Sequence, residues 1–386
     1  MTQISKAYVG ATIHDGQALH EAHALVVNTD GGFDLRPQAS LPEDCPVHTL
    51  DGGLITPGFI DLQVNGGGGL MFNEDTSVSA LRTIAEAHAK SGTQALLPTL
   101  ITDTPDRTRA AIDAVETAIA ERVNGIVGIH LEGPHLSAAR KGAHDLQLIR
   151  PMDEADLALL LNAAERLPNV MVTAAPETTS LAQIKTMSEA GIIVSLGHTD
   201  ASFDTCMAYF DAGARCVTHL FNAMSQLGNR DPGLVGAALI RGDVYAGLIA
   251  DGIHVHPATI RIALAAKINP EKIFLVTDSM ATSGSDIDSF VINGREVLRQ
   301  NSRLTLADGT LAGADLEMPG ALSVMISQTD DNLGQVIARV TSTPASLLRE
   351  RNGLGGLTDF GATALYFKEG LTDPTVLSPV KSAKAA

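Results

Sequence analysis

Between residues 57 and 278 short apolar blocks alternate with longer stretches whose apolar positions recur at helical spacing. The blocks near 57–64, 93–100, 125–132, 169–175, 191–197, 214–219, 244–250 and 272–278 are apolar at consecutive positions, the pattern of strands buried on both faces. The amphipathic stretches predict helices at 77–91, 105–121, 153–166, 180–190, 202–212 and 257–267, with a short helix over 234–240 in the seventh connection. Thr104 before Pro105 and Asp153 before Glu154 are helix-start signals. Eight such strands with helices between them predict an α/β fold, a (β/α)8 TIM-type barrel, over a doubly wound sheet.

The flanks read differently. Ala7-Tyr8-Val9 and Ala24-Leu25-Val26-Val27 are short strand patterns broken by Asp15-Gly16, Asp30-Gly31-Gly32 and Asp51-Gly52-Gly53. Near the other end, residues 362–367 form another strand pattern, and 382–386 look like a frayed terminus. The expected organisation is a small β-sandwich domain from residues 1–56 plus 355–386, and a barrel over 57–354. A polar insertion at 284–310 carries Asn293-Gly294 between apolar alternations, which predicts a hairpin. Helices are expected near 320–332 and 335–349.

Composition narrows the function classes. Of the 386 residues 45% are hydrophobic and 18% charged, so the chain can bury a sizeable core. A net charge of −17 argues against nucleic acid and against an anionic membrane surface, both of which need basic patches. An anionic small substrate would need a locally positive pocket. Cys45, Cys206 and Cys216 have no CxxC pairing, and Cys206 and Cys216, in apolar surroundings, read as reduced core residues. The first residues lack an apolar signal core, and no apolar run of about 18 residues occurs. The expected location is the cytoplasm.

The chemistry gathers at the strand ends. Strand one ends in Gln63-Val64-Asn65, strand three at Glu132 before Gly133-Pro134, and strand five in Gly197-His198-Thr199. Strand six ends in Thr218-His219 and runs on to Asn222, and strand seven is followed by Asp251-Gly252-Ile253-His254. Strand eight ends in Thr277-Asp278-Ser279. In a barrel these ends converge on one mouth. Glu132, His198 and His219 then offer one carboxylate and two imidazoles, a set that suits a zinc-type ion with a position left for water. A lone histidine at a strand end reads more readily as a structural residue, and a lone Glu before Gly-Pro often as a turn residue; together they favour a metal site. Asp278 is the candidate general base and acid, against the alternative that it caps the following segment.

The chain resembles the N-acetylglucosamine-6-phosphate deacetylases of the amidohydrolase superfamily. The resemblance rests on Pro57-Gly58-Phe59-Ile60-Asp61, His130-Leu131-Glu132-Gly133-Pro134 and Lys141-Gly142-Ala143-His144. It continues through Gly197-His198-Thr199, Thr218-His219-Leu220-Phe221-Asn222-Ala223-Met224, Asp251-Gly252-Ile253-His254 and Thr277-Asp278-Ser279-Met280. It covers about residues 51–350, in order. It implies hydrolysis of the acetamido group of N-acetylglucosamine 6-phosphate, with one divalent metal, Zn2+ or Fe2+, on Glu132, His198 and His219. It implies that Ala143, His144, Asn222, the Ala223 backbone and His254 contact the sugar and the reacting carbonyl, His254 also serving catalysis. Leu311, Ala312 and Gly313 would line the sugar side. Arg230 would bind the 6-phosphate from the neighbouring subunit of a homodimer.

Two departures stand out. Most amidohydrolases carry His-x-His at the end of strand one, which holds a second metal; here the positions are Gln63 and Asn65. Neutral amides are weak ligands beside imidazoles, so one metal per chain is expected, with Gln63 bonding the nucleophilic water. His135 stands where an aromatic residue is common. The rival readings are a deacetylase of N-acetylgalactosamine 6-phosphate, another amidohydrolase, or an inactive barrel kept as a binding protein.

Overall fold

The structure is a computed structural model that describes residues 4–358 and 361–378; the predicted frayed end at 382–386 lies outside these. Eight parallel strands pair in sequence order: Phe59–Val64, Thr93–Ile101, Ile129–Glu132, Val170–Ala174, Ile193–Leu196, Cys216–Val217, Tyr245–Leu248 and Ile273–Leu275. Each coincides with an apolar block that predicted it, Thr93–Ile101 running one residue beyond its block. Every residue of Phe59–Val64 is buried, as a strand covered by helices on one side and a packed barrel interior on the other must be. Register aligns Ile101 with Glu132 and Glu132 with Thr173, so carboxylate and hydroxyl share one level of the barrel.

The helices begin where capping chemistry allows. Thr104 accepts a hydrogen bond from the Arg107 N–H ahead of Pro105–Ala120, and Asp153 forms a capping box with Asp156 at the start of Glu154–Arg166. The seventh connection holds Gly233–Ile240, a helix buried over seven of its residues. The single helix expected at 335–349 is instead two, Leu333–Ala338 and Ser342–Leu347. Pro344 explains the break: it has no N–H for the Val340 carbonyl and is tolerated only in a first turn. The freed carbonyls are used. Ile60 N–H donates to Val340 O at 2.8 Å and Leu275 N–H to Arg339 O at 3.0 Å, so this segment bridges the last and first strands at the bottom of the barrel.

Those two strands form no ladder with each other along their length. Above residues 339–340 their seam is closed by the Asp61 carboxylate, which accepts from Thr277, and then by Asp278 N–H to Gln63 O (3.0 Å) and Asn65 N–H to Ser279 O (2.9 Å).

The end segments make two facing sheets. One has the order Phe33–Pro37, His23–Asn28, Ile4–Val9, Val47–Thr49; the other Thr375–Ser378, Ala364–Phe367, Leu54–Pro57, Thr12–His14, Leu19–His20. Ala364–Phe367 pairs antiparallel with Leu54–Pro57, so the two ends of the chain share a sheet. Tyr8, Leu25, Val27 and Phe33 of the first sheet pack on Ile13, Ile55 and Ala364 of the second. Phe367 stacks on Phe59 of the first barrel strand, centroids 5.5 Å apart, and ties this sandwich to the barrel.

The insertion after the eighth strand is a four-stranded sheet, Ser289–Ile292, Arg295–Gln300, Arg303–Thr305 and Leu311–Ala314. Asn293 and Gly294 both have positive φ (48° and 72°), as the tight hairpin turn requires. Phe290, Ile292, Val297 and Leu304 turn one face onto Met71, Ile101 and Met280, which makes the sheet a wall of the barrel mouth.

Candidate active site

Glu132 is the last residue of the third strand and is 2% exposed. Its Oε1 lies 3.2 Å from His198 Nε2 and 3.0 Å from His219 Nε2, and those two nitrogens are 3.1 Å apart. His198 and His219 follow strands five and six and adopt φ of 48° and 29°. This left-handed backbone, uncommon outside glycine, swings each imidazole over the mouth.

The donor set fits a divalent cation. His198 Nδ1 donates to the Arg140 carbonyl at 2.8 Å; a carbonyl only accepts, so Nε2 carries the lone pair. Two imidazoles and a carboxylate then aim at one point, an arrangement that repels unless a cation or proton sits among them. Glu132, His198 and His219 place one ligand atom each within 4.8 Å of one another. Burial acts to raise the Glu132 pKa, yet its bonds to His198 and His219 hold it well below the usual carboxylate range. His219 is raised despite burial, through the same bond to Glu132.

Asp278 sits beside this cluster with φ of 50°. Its Oδ1 accepts from Gln63 Nε2 at 3.1 Å and Asn65 Nδ2 at 2.7 Å. Gln63 Nε2 also reaches both Glu132 oxygens at 3.3 Å. Burial and the Glu132 charge push the Asp278 carboxyl up to about 6, against His219 and the Asn65 bond. Gln63 therefore contacts the candidate base rather than serving solely to hold water.

The mouth opens into a cavity of about 400 Å³ lined by Glu132, His198, His219 and Asp278 together with Ala143, His144, Asn222, Ala223, His254, Leu311 and Gly313. Ala312 is buried just behind and does not line it. Thr102 N–H donates to His144 Nδ1 at 3.3 Å, and the Thr102 hydroxyl lies 2.7 Å from the same atom. Nδ1 is therefore an acceptor and the His144 proton is on Nε2. Burial and the nearby His198 hold His144 well below its ordinary pKa, so it is a neutral donor. His254 is held the opposite way, its Nδ1 2.6 Å from Asp251 Oδ2. Asp251 also accepts the Ile253 and His254 backbone N–H groups.

Arg230 stands apart: it is exposed and does not line the cavity of its own chain. His135 is buried, bonded to the Arg150 carbonyl at 3.0 Å and outside the cavity lining. His130 lies beneath the site, 2.8 Å from the Thr173 hydroxyl, and burial pushes it down to about 4. Sequence reasoning missed Asn65 as a donor to Asp278, the Arg140 carbonyl and Thr102. Asn65 had a signal: Asp61, Gln63 and Asn65 alternate, so they face one side of the strand. The other two depend on loop contacts with no local pattern.

An amidohydrolase family model matches residues 54–357. The chain belongs to the amidohydrolase family. These enzymes are metal-dependent hydrolases, and the Glu132, His198 and His219 triad is the possible metal site of this amidohydrolase. It is 40% identical to the N-acetylgalactosamine-6-phosphate deacetylase of Shewanella sp. (strain ANA-3), over 87% of this chain and 85% of that one. It is 33% identical to the N-acetylglucosamine-6-phosphate deacetylase of Haemophilus influenzae, over 91% and 92%. The solved N-acetylglucosamine-6-phosphate deacetylase of Pasteurella multocida matches with a TM-score of 0.89 at 34% identity, over 96% of this chain and 98% of that one. No helix among the described residues is long and apolar enough to cross a membrane.

Proposed function

We propose that this amidohydrolase removes the N-acetyl group of N-acetyl-D-glucosamine 6-phosphate, releasing D-glucosamine 6-phosphate and acetate. The observation that carries the reading is the meeting of Glu132, His198 and His219 beside Asp278 in one cavity, in a chain so similar to deacetylases of this substrate class.

Glu132, His198 and His219 would hold one divalent metal, Zn2+ or Fe2+. When bound, it supplies a Lewis acid that polarises the amide carbonyl and brings the pKa of a water to about 7. Asp278 is the base. With Oδ1 occupied by Gln63 and Asn65, Oδ2 is left to take a proton from the attacking water. The water oxygen first adds to the acetamido carbonyl carbon, forming the new C–O bond; the C–N bond then breaks as Asp278 returns the proton to the departing nitrogen, because an amide anion is too basic to leave. His144 offers its Nε2–H, and Asn222, the Ala223 backbone and His254 line the same cavity for the sugar and the reacting carbonyl. Leu311 and Gly313 form the sugar-side wall, with Ala312 buried behind them. The Arg230 fork binds the 6-phosphate from the partner subunit of a homodimer, which accounts for its exposure in a single chain.

The same reading takes the chain as two domains, residues 1–56 plus 355–386 and 57–354. The separate apolar cores of sandwich and barrel support this division. The working location is the cytoplasm, where a phosphosugar would be met.

The test is acetate release from N-acetylglucosamine 6-phosphate, its 4-epimer and unphosphorylated N-acetylglucosamine, with elemental analysis of the purified protein. The expected result is fastest turnover of the first and one metal per chain. Equal rates without phosphate would remove the role given to Arg230, and two fully occupied metals would remove the single-metal reading. The 40% identity to the Shewanella enzyme favours a second reading, in which the galacto epimer is preferred.

A further inference from the structure

Below the proton-carrying carboxylate lies another that the reaction does not touch. Asp61 is fully buried in the first barrel strand and accepts three hydrogen bonds. They come from Gln63 N–H at 3.1 Å, Thr277 N–H at 3.2 Å and the Thr277 hydroxyl at 2.5 Å. The same hydroxyl accepts the Ser279 N–H at 3.3 Å. Thr277 and Ser279 flank Asp278, whose backbone is left-handed.

We propose that Asp61 and Thr277 form a latch that positions Asp278 for proton transfer. The proposal rests on the hydrolytic reading above, and both are positioning residues that touch neither substrate nor metal.

The seam between the first and last strands explains the need for it. Elsewhere in the barrel, neighbouring strands are registered by backbone ladders; here the backbone makes a single bridge, Val64 with Ser279, above the level of Asp61. At the level of Asp61 a side chain takes over the ladder's work. The Thr277 hydroxyl donates across the seam to Asp61 and accepts the Ser279 N–H from beyond Asp278, so it sets the strand separation and the turn together. Left-handed φ at a non-glycine residue costs of order 1 kcal/mol or more and persists only where neighbours over-determine it. The latch thereby sets the reach between Asp278 Oδ1 and Gln63 Nε2, 3.1 Å in this structure. Proton transfer is sensitive to such placement: a displacement of about 1 Å can cost roughly 10²-fold in rate.

Thr277→Val keeps the shape and removes both hydroxyl bonds; Thr277→Ser keeps both. The expected result is a kcat lowered roughly 10- to 100-fold in Thr277→Val, with KM and metal content unchanged. Thr277→Ser should return kcat towards the parent value. Should the valine variant fail to fold, Thr277→Ala removes the same bonds. A crystal structure of the valine or alanine variant should show Asp278 out of the left-handed region and separated from Gln63 Nε2. An unchanged kcat, a loss in the serine variant equal to that in the valine variant, or an unmoved Asp278 would each overturn the latch. If the parent enzyme releases no acetate, the functional reading fails, while the crystallographic comparison still decides the latch.

Discussion

In the sandwich, Ile13, Leu25, Phe33 and Ile55 meet between sheets whose backbone groups pair in ladders. At the barrel mouth, Asp61, Gln63, Asn65, Glu132, His198, His219 and Asp278 are just as deeply buried. Their polar atoms are satisfied largely by one another, and His198, His219, Ala223 and Asp278 hold left-handed backbone. The sandwich is built from terms that lower free energy: apolar burial at roughly 25 cal/mol per Å² and complete ladders. The mouth gathers terms that raise it, two neighbouring carboxylates and strained φ, and is held in shape by the surrounding barrel. Substitutions should therefore separate: those at the mouth remove activity and leave stability, those at the sandwich contact remove stability and leave activity.

The sharpest break would come from Asp278→Asn. The neutral isostere removes the base and should lower kcat about 10²- to 10⁴-fold. It also removes one of two neighbouring buried charges, so the thermal midpoint should stay or rise. A fall in midpoint would mean the mouth carries stability and would collapse the contrast. At the other pole, Phe367→Ala deletes the ring stacked on Phe59. Urea unfolding should register a loss of about 3–5 kcal/mol, with kcat kept in the folded protein.

Arg230 tests the comparison from outside both cores. Arg230→Ala should raise KM for the phosphosugar roughly tenfold to a hundredfold, the worth of ~1.5–3 kcal/mol of charge-assisted hydrogen bonding, with stability unchanged. Mixing it with Asp278→Asn should restore part of the activity, because hybrid dimers pair an intact arginine with an intact base; no recovery after demonstrated subunit exchange would place Arg230 in its own chain's site.

The smallest effect concerns Asp61. Burial, opposed by the Thr277 and Gln63 bonds, pushes its carboxyl from 3.8 up to about 7. The folded protein then holds this proton more tightly than the unfolded chain does. Its contribution to stability is full below the unfolded value and is lost as pH rises through about 7. Unfolding of the parent protein relative to Asp61→Asn should show a decline between about pH 4 and pH 7. A difference that stays flat would show that Asp61 does not titrate in that window.

The alternation of apolar blocks and amphipathic stretches determined the barrel, because strands buried on both faces read as short runs of consecutive apolar positions and the longer stretches between them carry helical spacing. The strand-end placing of Glu132, His198, His219 and Asp278 followed from it, since parallel strands send every such end to one mouth. The helix break at 339–341 was hidden because Pro344 reads equally well inside a helix's first turn. The sharing of a sheet by Leu54–Pro57 and Ala364–Phe367 joins segments about three hundred residues apart, and no local pattern records such a pairing. The tautomers of His144 and His198 depend on Thr102 and on the Arg140 carbonyl, groups supplied by loops. The left-handed backbone of His198, His219 and Asp278 carries no glycine to announce it. Sequence alone determined which residue types reach the mouth; tertiary contacts, across the seam for Asp278 and with loops for His144 and His198, decided how each is turned, because orientation is set by partners distant in the chain.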